Sequence, residues 1–388
     1  MKTVALRRLS TVPITTGLGL PGNNFEQSDP RYIRTTDIAS PLTLKDDTFV
    51  SQPSDVATRA PVEYGDLLLV SAGSSIGKSC LYLSHDPACY AGFLTRVRPE
   101  SVHTGLFLSY WTQSAHFVDQ VRSTAVQATI ENFSASRYKD LRVPVVPNDQ
   151  QKRIVRFLDT ETAKIDHLIA KQRKLLKLLD LRNEARWQEA FTGFTPLKRL
   201  PLKRLLVKQY RPVVEGAGVV TAFRDGEVTL RSNRREEGFT FSESETGYQG
   251  VVAGDLVFHG LDGFAGAVGI SDSNGQSTPV YHVCRLRNDE DDLRFIAYLL
   301  RYLGNSGFLA AQAPSVRQRA VDFRNWQTFG RIPLSLPQGR VQQRIVSELD
   351  ESAKALADAK ATIERALGLL QERRSALITA AVTGQIEV

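Results

Sequence analysis

Cysteine is scarce in this chain of 388 residues, and the three present, Cys80, Cys89 and Cys284, lack the spacing of a zinc site or a disulfide framework. They read as reduced thiols of an intracellular protein. The six histidines are scattered, none near a cysteine or carboxylate at ligand spacing, so no resident metal is expected. No stretch reaches the ~18 apolar residues of a membrane helix. The opening MKTVALRRLSTVPITTG lacks the apolar run of a secretory signal. The expected location is therefore the cytoplasm. No Gly-x-Ser-x-Gly elbow occurs, and no residues form a catalytic constellation, so no active site is expected in this chain. A strong charge of one sign is also missing: 49 basic and 42 acidic residues leave +7, spread along the chain. That excess suits a polyanionic partner without requiring one. What remains is an ordinary globular composition, 42% hydrophobic and 23% charged, at a length for two to three domains.

Against these absences stands one long repeat. Pro144 to Gly193 begins PVVPNDQQKRIVRFLD, and Pro333 to Gly384 begins PLSLPQGRVQQRIVSELD. Leu158-Asp159 and Leu349-Asp350 align at an offset of 191 residues, which then holds without a gap for more than thirty. Gln151, Arg153, Ile154 and Val155 recur as Gln342, Arg344, Ile345 and Val346. Each copy predicts one long helix. In the first, Ile154, Leu158, Ile165, Leu168, Leu175 and Leu179 form a seam of period near 3.5. In the second, Ile345, Leu349, Leu356, Ile363, Leu370 and Leu377 keep the same rhythm. Pro147 and Pro337 precede the starts, and Gly193 and Gly384 mark the stops. About 45 residues at ~1.5 Å each give a rod of roughly 65–70 Å. Two such rods in one chain bury each other's seams most simply as an antiparallel coiled coil.

The rods alternate with two non-helical blocks, which sets four segments: 1–143, 144–193, 194–332 and 333–388. The first block holds short strand-like runs at Arg31–Arg34, Gly65–Val70 and Leu81–Leu83, then a helical stretch from Phe107 to Val121. The second opens with Pro201-Leu-Lys-Arg-Leu205, an echo of Ala5-Leu-Arg-Arg-Leu9. It repeats Gly65-Asp-Leu as Gly254-Asp-Leu, and places a helix at Leu293–Leu303. The expected class is α+β: two globular α/β domains separated by two long helices.

Ala72-Gly-Ser-Ser-Ile-Gly-Lys-Ser79 matches a loose nucleotide-binding loop. Such a loop needs a strand before it and a helix after it. The strand is present, but Cys80-Leu-Tyr-Leu83 reads as a second strand, so a glycine-rich β-turn is the better reading. Its Ser74, Ser75 and Lys78 then become candidates to meet DNA phosphate. Further candidates are Arg31, Tyr32 and Arg34 in one turn, and Arg122 and Gln127 after the first block's helix. In the second block they are the cluster Arg231, Asn233, Arg234 and Arg235, and Arg317, Gln318 and Arg319 after its helix. Arginine and glutamine read guanine and adenine edges bidentately. Two other classes stay open on these residues: a P-loop NTPase with a coiled-coil arm, and a purely structural coiled-coil adaptor.

The Pro-x-x-Pro start, Gln-Gln-x-Arg-Ile-Val-x-x-Leu-Asp and the Thr-Gly finish resemble the helical regions of specificity (S) subunits of type I restriction–modification systems. The ending Glu372-Arg-Arg-Ser-Ala-Leu-Ile-Thr-Ala-Ala-Val-Thr-Gly384 is especially similar. Gly-Asp-Leu-Leu with Ser-Ile-Gly-Lys, and Tyr32-Ile-Arg-Thr-Thr-Asp-Ile38, resemble phrases of that family's target recognition domains. The first helix departs from the pattern at Gln150 and at Trp187-Gln-Glu-Ala-Phe191, which bears on partner contacts. The resemblance implies two recognition domains that each read one half of a bipartite, asymmetric site in double-stranded DNA. It implies rods that act as a spacer and dock two modification (methyltransferase) subunits carrying S-adenosylmethionine. It further implies restriction subunits, with ATP and magnesium, in a larger complex.

Overall fold

The computed structural model describes residues 2–125, 132–234, 247–312, 316–317 and 320–388. It divides into two compact units: residues 1–174 with 363–388, and residues 175–362. The division runs through both repeats, so each unit takes a part of each long helix. No helix among the described residues is long and apolar enough to cross a membrane.

The first long helix spans Asn148–Thr192 and the second Gly339–Val382. Their ends fall where the prolines and glycines predict. Gly384 adopts φ +70°, and the Gln385 amide donates to the Ala380 carbonyl at 2.8 Å, a Schellman closure that an L side chain would strain. Along the second helix the expected seam is the buried one: Ile345, Leu349 and Ile363 are buried, and Leu356, Leu370 and Leu377 half-buried.

The first helix corrects its expected phase. Ile154, Leu158 and Ile165 are buried and Leu179 is half-buried, but Leu168 and Leu175 face outward at 46% and 43% exposure. The buried row runs instead through Thr162, Ile165 and Ile169 and continues through half-buried Gln172, Leu176 and Asn183. Ile165 is followed by an apolar residue at both i+3 and i+4. A pattern of apolar positions selects Leu168, whereas packing selects Ile169 and then Leu176. Polar residues at 162, 172 and 183 conceal that choice.

In the first unit the helix segments meet start to end. Ile154, Val155 and Leu158 share one apolar cluster with Leu377, Ile378, Ala381 and Val382. Arg374 reaches Asp166 at 2.9 Å. In the second unit Trp187, Ala190 and Phe191 pack with Ile345, Val346 and Leu349. There Lys360 pairs with Asp180, and Arg186 with Ser352. Within each unit the two segments therefore run in opposite directions.

The globular part of the first unit is built on a four-stranded sheet: β1 (Thr15–Thr16), β2 (Leu67–Val70), β3 (Ser79–Leu81) and β4 (Leu94–Val97). Its order is β1-β4-β2-β3, all antiparallel. Every residue of β2 is buried, because one face lies under α1 (Val102–Trp111) and α2 (Ala115–Ala125) and the other under a second small sheet. The second unit repeats this plan with β5 (Leu206–Lys208), β6 (Leu256–His259), β7 (Val268–Ile270) and β8 (Tyr281–Leu286). Their order, β5-β8-β6-β7, is the same, and α3 (Leu293–Asn305) follows. A short antiparallel pair leads each domain onto its helix: Thr3–Ala5 with Arg142–Pro144, and Lys198–Pro201 with Pro333–Leu336.

The Gly-Asp-Leu echo is the hinge of this shared plan. Gly65 and Gly254 sit at φ +91° and +90°, in the left-handed region that glycine allows. Asp66 and Asp255 are then turned inward and fully buried. Each carboxylate accepts the amide three residues earlier, Glu63 at 2.8 Å and Val252 at 2.9 Å. Arg98, just past β4, pairs with Asp66 at 2.8 Å, and Arg285, on β8, pairs with Asp255 at 2.7 Å. Arg211 joins Asp255 as well. Buried charge of this kind is tolerable only when paired.

Candidate nucleic-acid interface

In the first unit, residues 71–78 form the turn between β2 and β3, two paired strands, so no helix follows Lys78. The turn closes on itself. The Val70 amide donates to Lys78 at 2.8 Å, Ile76 to Gly73 at 3.1 Å and Lys78 to Ser75 at 3.0 Å. Gly73 and Gly77, at φ +76° and +85°, make that path possible. The Gly77 amide is given to the Tyr138 hydroxyl, which itself donates to Val70. Amides committed in this way do not cradle a nucleotide phosphate, and the P-loop reading finds no support.

Ser74 and Lys78 are exposed and Ser75 half-exposed. A Cβ placed on Gly77 would lie 3.6 Å from Phe117 and 3.8 Å from Val121, so the turn sits against α2. Arg122, exposed on α2, follows directly. The structure thus packs the serine–lysine turn against the helix that carries Arg122. Neither the Lys78 nor the Arg122 side chain has a hydrogen bond or ion pair among the described residues. Gln127 lies outside those residues.

The Arg31–Arg34 turn is committed internally. Tyr32 is corrected from surface candidate to core residue: it is 2% exposed, and its hydroxyl donates to Leu18 at 2.6 Å and accepts the Leu20 amide. The strand Arg31–Ile33 is covered on both faces: Tyr32 packs in one apolar cluster with Val50, Ala57 and Cys89, and Ile33 in another with Val62 and Tyr90. Arg34 forks onto buried Asp37, with Nη2 at 2.9 Å from Oδ1, and also reaches the Thr48 carbonyl at 2.8 Å. Arg31 donates to the Lys45 carbonyl and lies over the Phe49 ring, 5.9 Å from its centroid.

In the second unit, Arg231 and Asn233 lie in the short 3-10 turn Arg231–Asn233, with Arg234 just after it. Asn233 donates to Thr229 at 2.8 Å, and Arg231 Nε approaches Thr221 at 3.5 Å. Arg234 bridges Asp225 at 2.7 Å and Glu227 at 2.9 Å, and stacks 4.3 Å from the Phe223 ring centroid. Burial opposes ionisation of Asp225, yet the Arg234 bond and the Glu227 amide hold its carboxyl below the usual carboxylate range. This acidic frame around Arg234 fixes the side chain's direction, and it was missed in the sequence although all partners lie within twelve residues. Arg317 lies in the strand Val316–Arg317, paired with Ala320–Val321. Arg235, Gln318 and Arg319 lie outside the described residues.

No family model matches the chain. The type I restriction enzyme EcoKI specificity subunit of Escherichia coli K12 is 24% identical over 227 residues, covering 53% of this chain and 48% of that one. The StySPI specificity subunit of Salmonella potsdam is 23% identical over 129 residues, 33% of this chain and 28% of that one. The match thus spans about half the length of the first relative and under a third of the second. Among solved structures, a chain from work on complex assembly and conformational transition of the type I R-M system gives a TM-score of 0.75. It covers 99% of this chain and 98% of its own at 15% identity. The HsdS subunit of Thermoanaerobacter tengcongensis gives 0.57, with 99% and 97% covered, also at 15% identity. In sequence and in fold, the chain is similar to the specificity subunits of type I restriction–modification systems.

Proposed function

We propose that this chain is the DNA-sequence-recognition subunit of a type I restriction–modification complex in the cytoplasm, with no catalytic site of its own. Residues 1–143 and 194–332 act as two target recognition domains, each reading one half of a bipartite, asymmetric site. The long helices pair as an antiparallel coiled coil, space the two domains and dock two methyltransferase subunits. Those subunits carry S-adenosylmethionine, and restriction subunits, with ATP and magnesium, join the larger complex.

One observation carries this reading. The two globular parts share a strand order, a buried Gly-Asp turn and a lead-in pair, while their surface residues differ. The same scaffold with two different faces suits two independent readers better than a structural adaptor. The turn holding Ser74, Ser75 and Lys78, packed on the helix that carries exposed Arg122, supplies phosphate-contacting chemistry on the first domain. A domain exchange tests the proposal. Residues 1–143 are replaced by the recognition domain of a different specificity subunit, and the DNA sites bound by parent and chimaera are selected from randomised duplexes. One half-site should change and the other persist. A change in both halves would refute independent reading.

A further inference from the structure

Each domain is fastened to a long helix through the same carboxylate. Asp159 and Asp350 are equivalent in the repeat. Tyr110, on α1, donates its hydroxyl to Asp159 Oδ1 at 2.6 Å. Tyr298, on α3, donates to Asp350 Oδ1 at 2.6 Å. Neither tyrosine belongs to the repeat, and the local surroundings differ. Asp350 also takes Arg294 at 2.7 Å, whereas the Tyr110 hydroxyl lies 3.4 Å from Thr162 Oγ1. Two divergent domains therefore present the same donor to the same acceptor. Burial, reinforced by the carboxylate, raises both phenols above their ordinary value, so the proton stays on the tyrosine.

A hydroxyl–carboxylate bond is short and directional, whereas the apolar packing around it is not directional. Each domain also touches the other long helix of its unit. In the first unit Arg374 donates to Gln113 at 2.9 Å, and the Ala115 amide donates to Thr379 at 2.9 Å. In the second, Trp187 lies 5.4 Å from the Tyr298 ring and Phe191 5.6 Å from Phe295. Contact with both helices defines a seat, and the tyrosine bond selects one angle upon it.

We propose that the Tyr110–Asp159 and Tyr298–Asp350 pairs are positioning contacts that fix the angle of each recognition domain on its helix. They thereby set the length of unread DNA accepted between the half-sites. The proposal rests on the bipartite reading given above. It is tested with the full chain and a pool of duplexes carrying a long randomised segment; sequencing the bound fraction gives both half-sites and the distribution of gaps. The parent should select one gap. Tyr110→Phe and Tyr298→Phe keep the rings and should keep the half-sites. Discrimination against gaps one base pair longer or shorter should fall about tenfold in Tyr110→Phe, the factor that ~1.4 kcal/mol represents, and less in Tyr298→Phe, where Arg294 still holds Asp350. Asp159→Asn retains an acceptor oxygen and should stay within about threefold of the parent, while Asp159→Ala should behave like Tyr110→Phe. If the phenylalanine variants melt earlier but keep the parent's sharp gap, the contacts are only structural and the proposal is overturned. A parent that selects no two-part site would instead defeat the bipartite reading, and the positioning role with it.

Discussion

Replacing Leu158 by alanine, beside a matched replacement of Leu168, tests the packing of the first long helix most directly. The two leucines lie on one helix ten residues apart, and the sequence pattern assigns both to the seam. The structure buries Leu158 completely in a cluster with Ile154, Phe107, Ile378 and Val382, and leaves Leu168 46% exposed. Leu158→Ala removes three carbons from a site walled by two long helices and α1, where little can move to fill the space. A cost of ~3 kcal/mol follows, within the range for buried leucine truncations. The unit containing it has about 200 residues, for which each kcal/mol lowers the melting midpoint by roughly 2–4 °C, so the expected drop is about 6–12 °C. Leu168→Ala should cost less than ~0.5 kcal/mol, because the position is exposed and alanine favours the helix. Thermal and urea unfolding followed by far-ultraviolet circular dichroism reads both. Equal losses for the two variants would refute the phase described above. A Leu158→Ala midpoint that did not move would refute the packing of the two segments.

Three other outcomes follow. Lys78→Ala should weaken binding to all DNA sequences alike and reduce the salt slope by about one, while equilibrium dialysis finds no ATP bound by parent or variant; sequence-selective loss would instead mark a base contact. His282 is buried with its pKa lowered to about 4, chiefly by burial. A folded value below the unfolded one near 6.5 means that the stability it contributes is complete above pH ~6.5 and lost as pH falls towards 4. The second unit should lose about 3 kcal/mol over that window, and His282→Gln should flatten the profile; a parent profile already flat would contradict this. Asp255→Ala should cost ~3 kcal/mol by leaving Arg211 and Arg285 around an emptied buried site, measured by urea unfolding, and a loss below ~1 kcal/mol would show the turn holds without it.

The long helices were legible because more than thirty aligned residues repeat one rhythm, and proline and glycine punctuate it. The phase of the first beyond Ile165 was not, since Leu168 and Ile169 are both apolar and only three-dimensional packing chooses between them. The sheets were legible at Gly65-Asp66 and Gly254-Asp255, where a left-handed turn and a buried charge leave little freedom, and at the short strand-like runs that became the strands Arg31–Ile33, Leu67–Val70 and Ser79–Leu81. Between those points the strands are two to six residues long, too short for alternation to register. That brevity hides the common strand order. At the surface, the Arg34–Asp37 pair lies within one turn of chain and could have been read. Tyr32 could not, because tyrosine suits both core and surface. The Tyr110–Asp159 bond spans 49 residues and joins a divergent segment to a repeated one, so no local pattern announces it.

The division of both long helices between the units has a consequence for how the protein is made. Residues 175–362 form the second unit without a break, so its core can assemble as soon as that stretch leaves the ribosome. The first unit cannot. Ile154 and Leu158 wait for Ile378, Ala381 and Val382, and all of residues 175–362 must be synthesised in between. At ~5–20 residues per second that interval lasts roughly 10–40 s. During it the domain synthesised first keeps an open apolar flank, so the unit whose residues are made first is the one whose core is completed last.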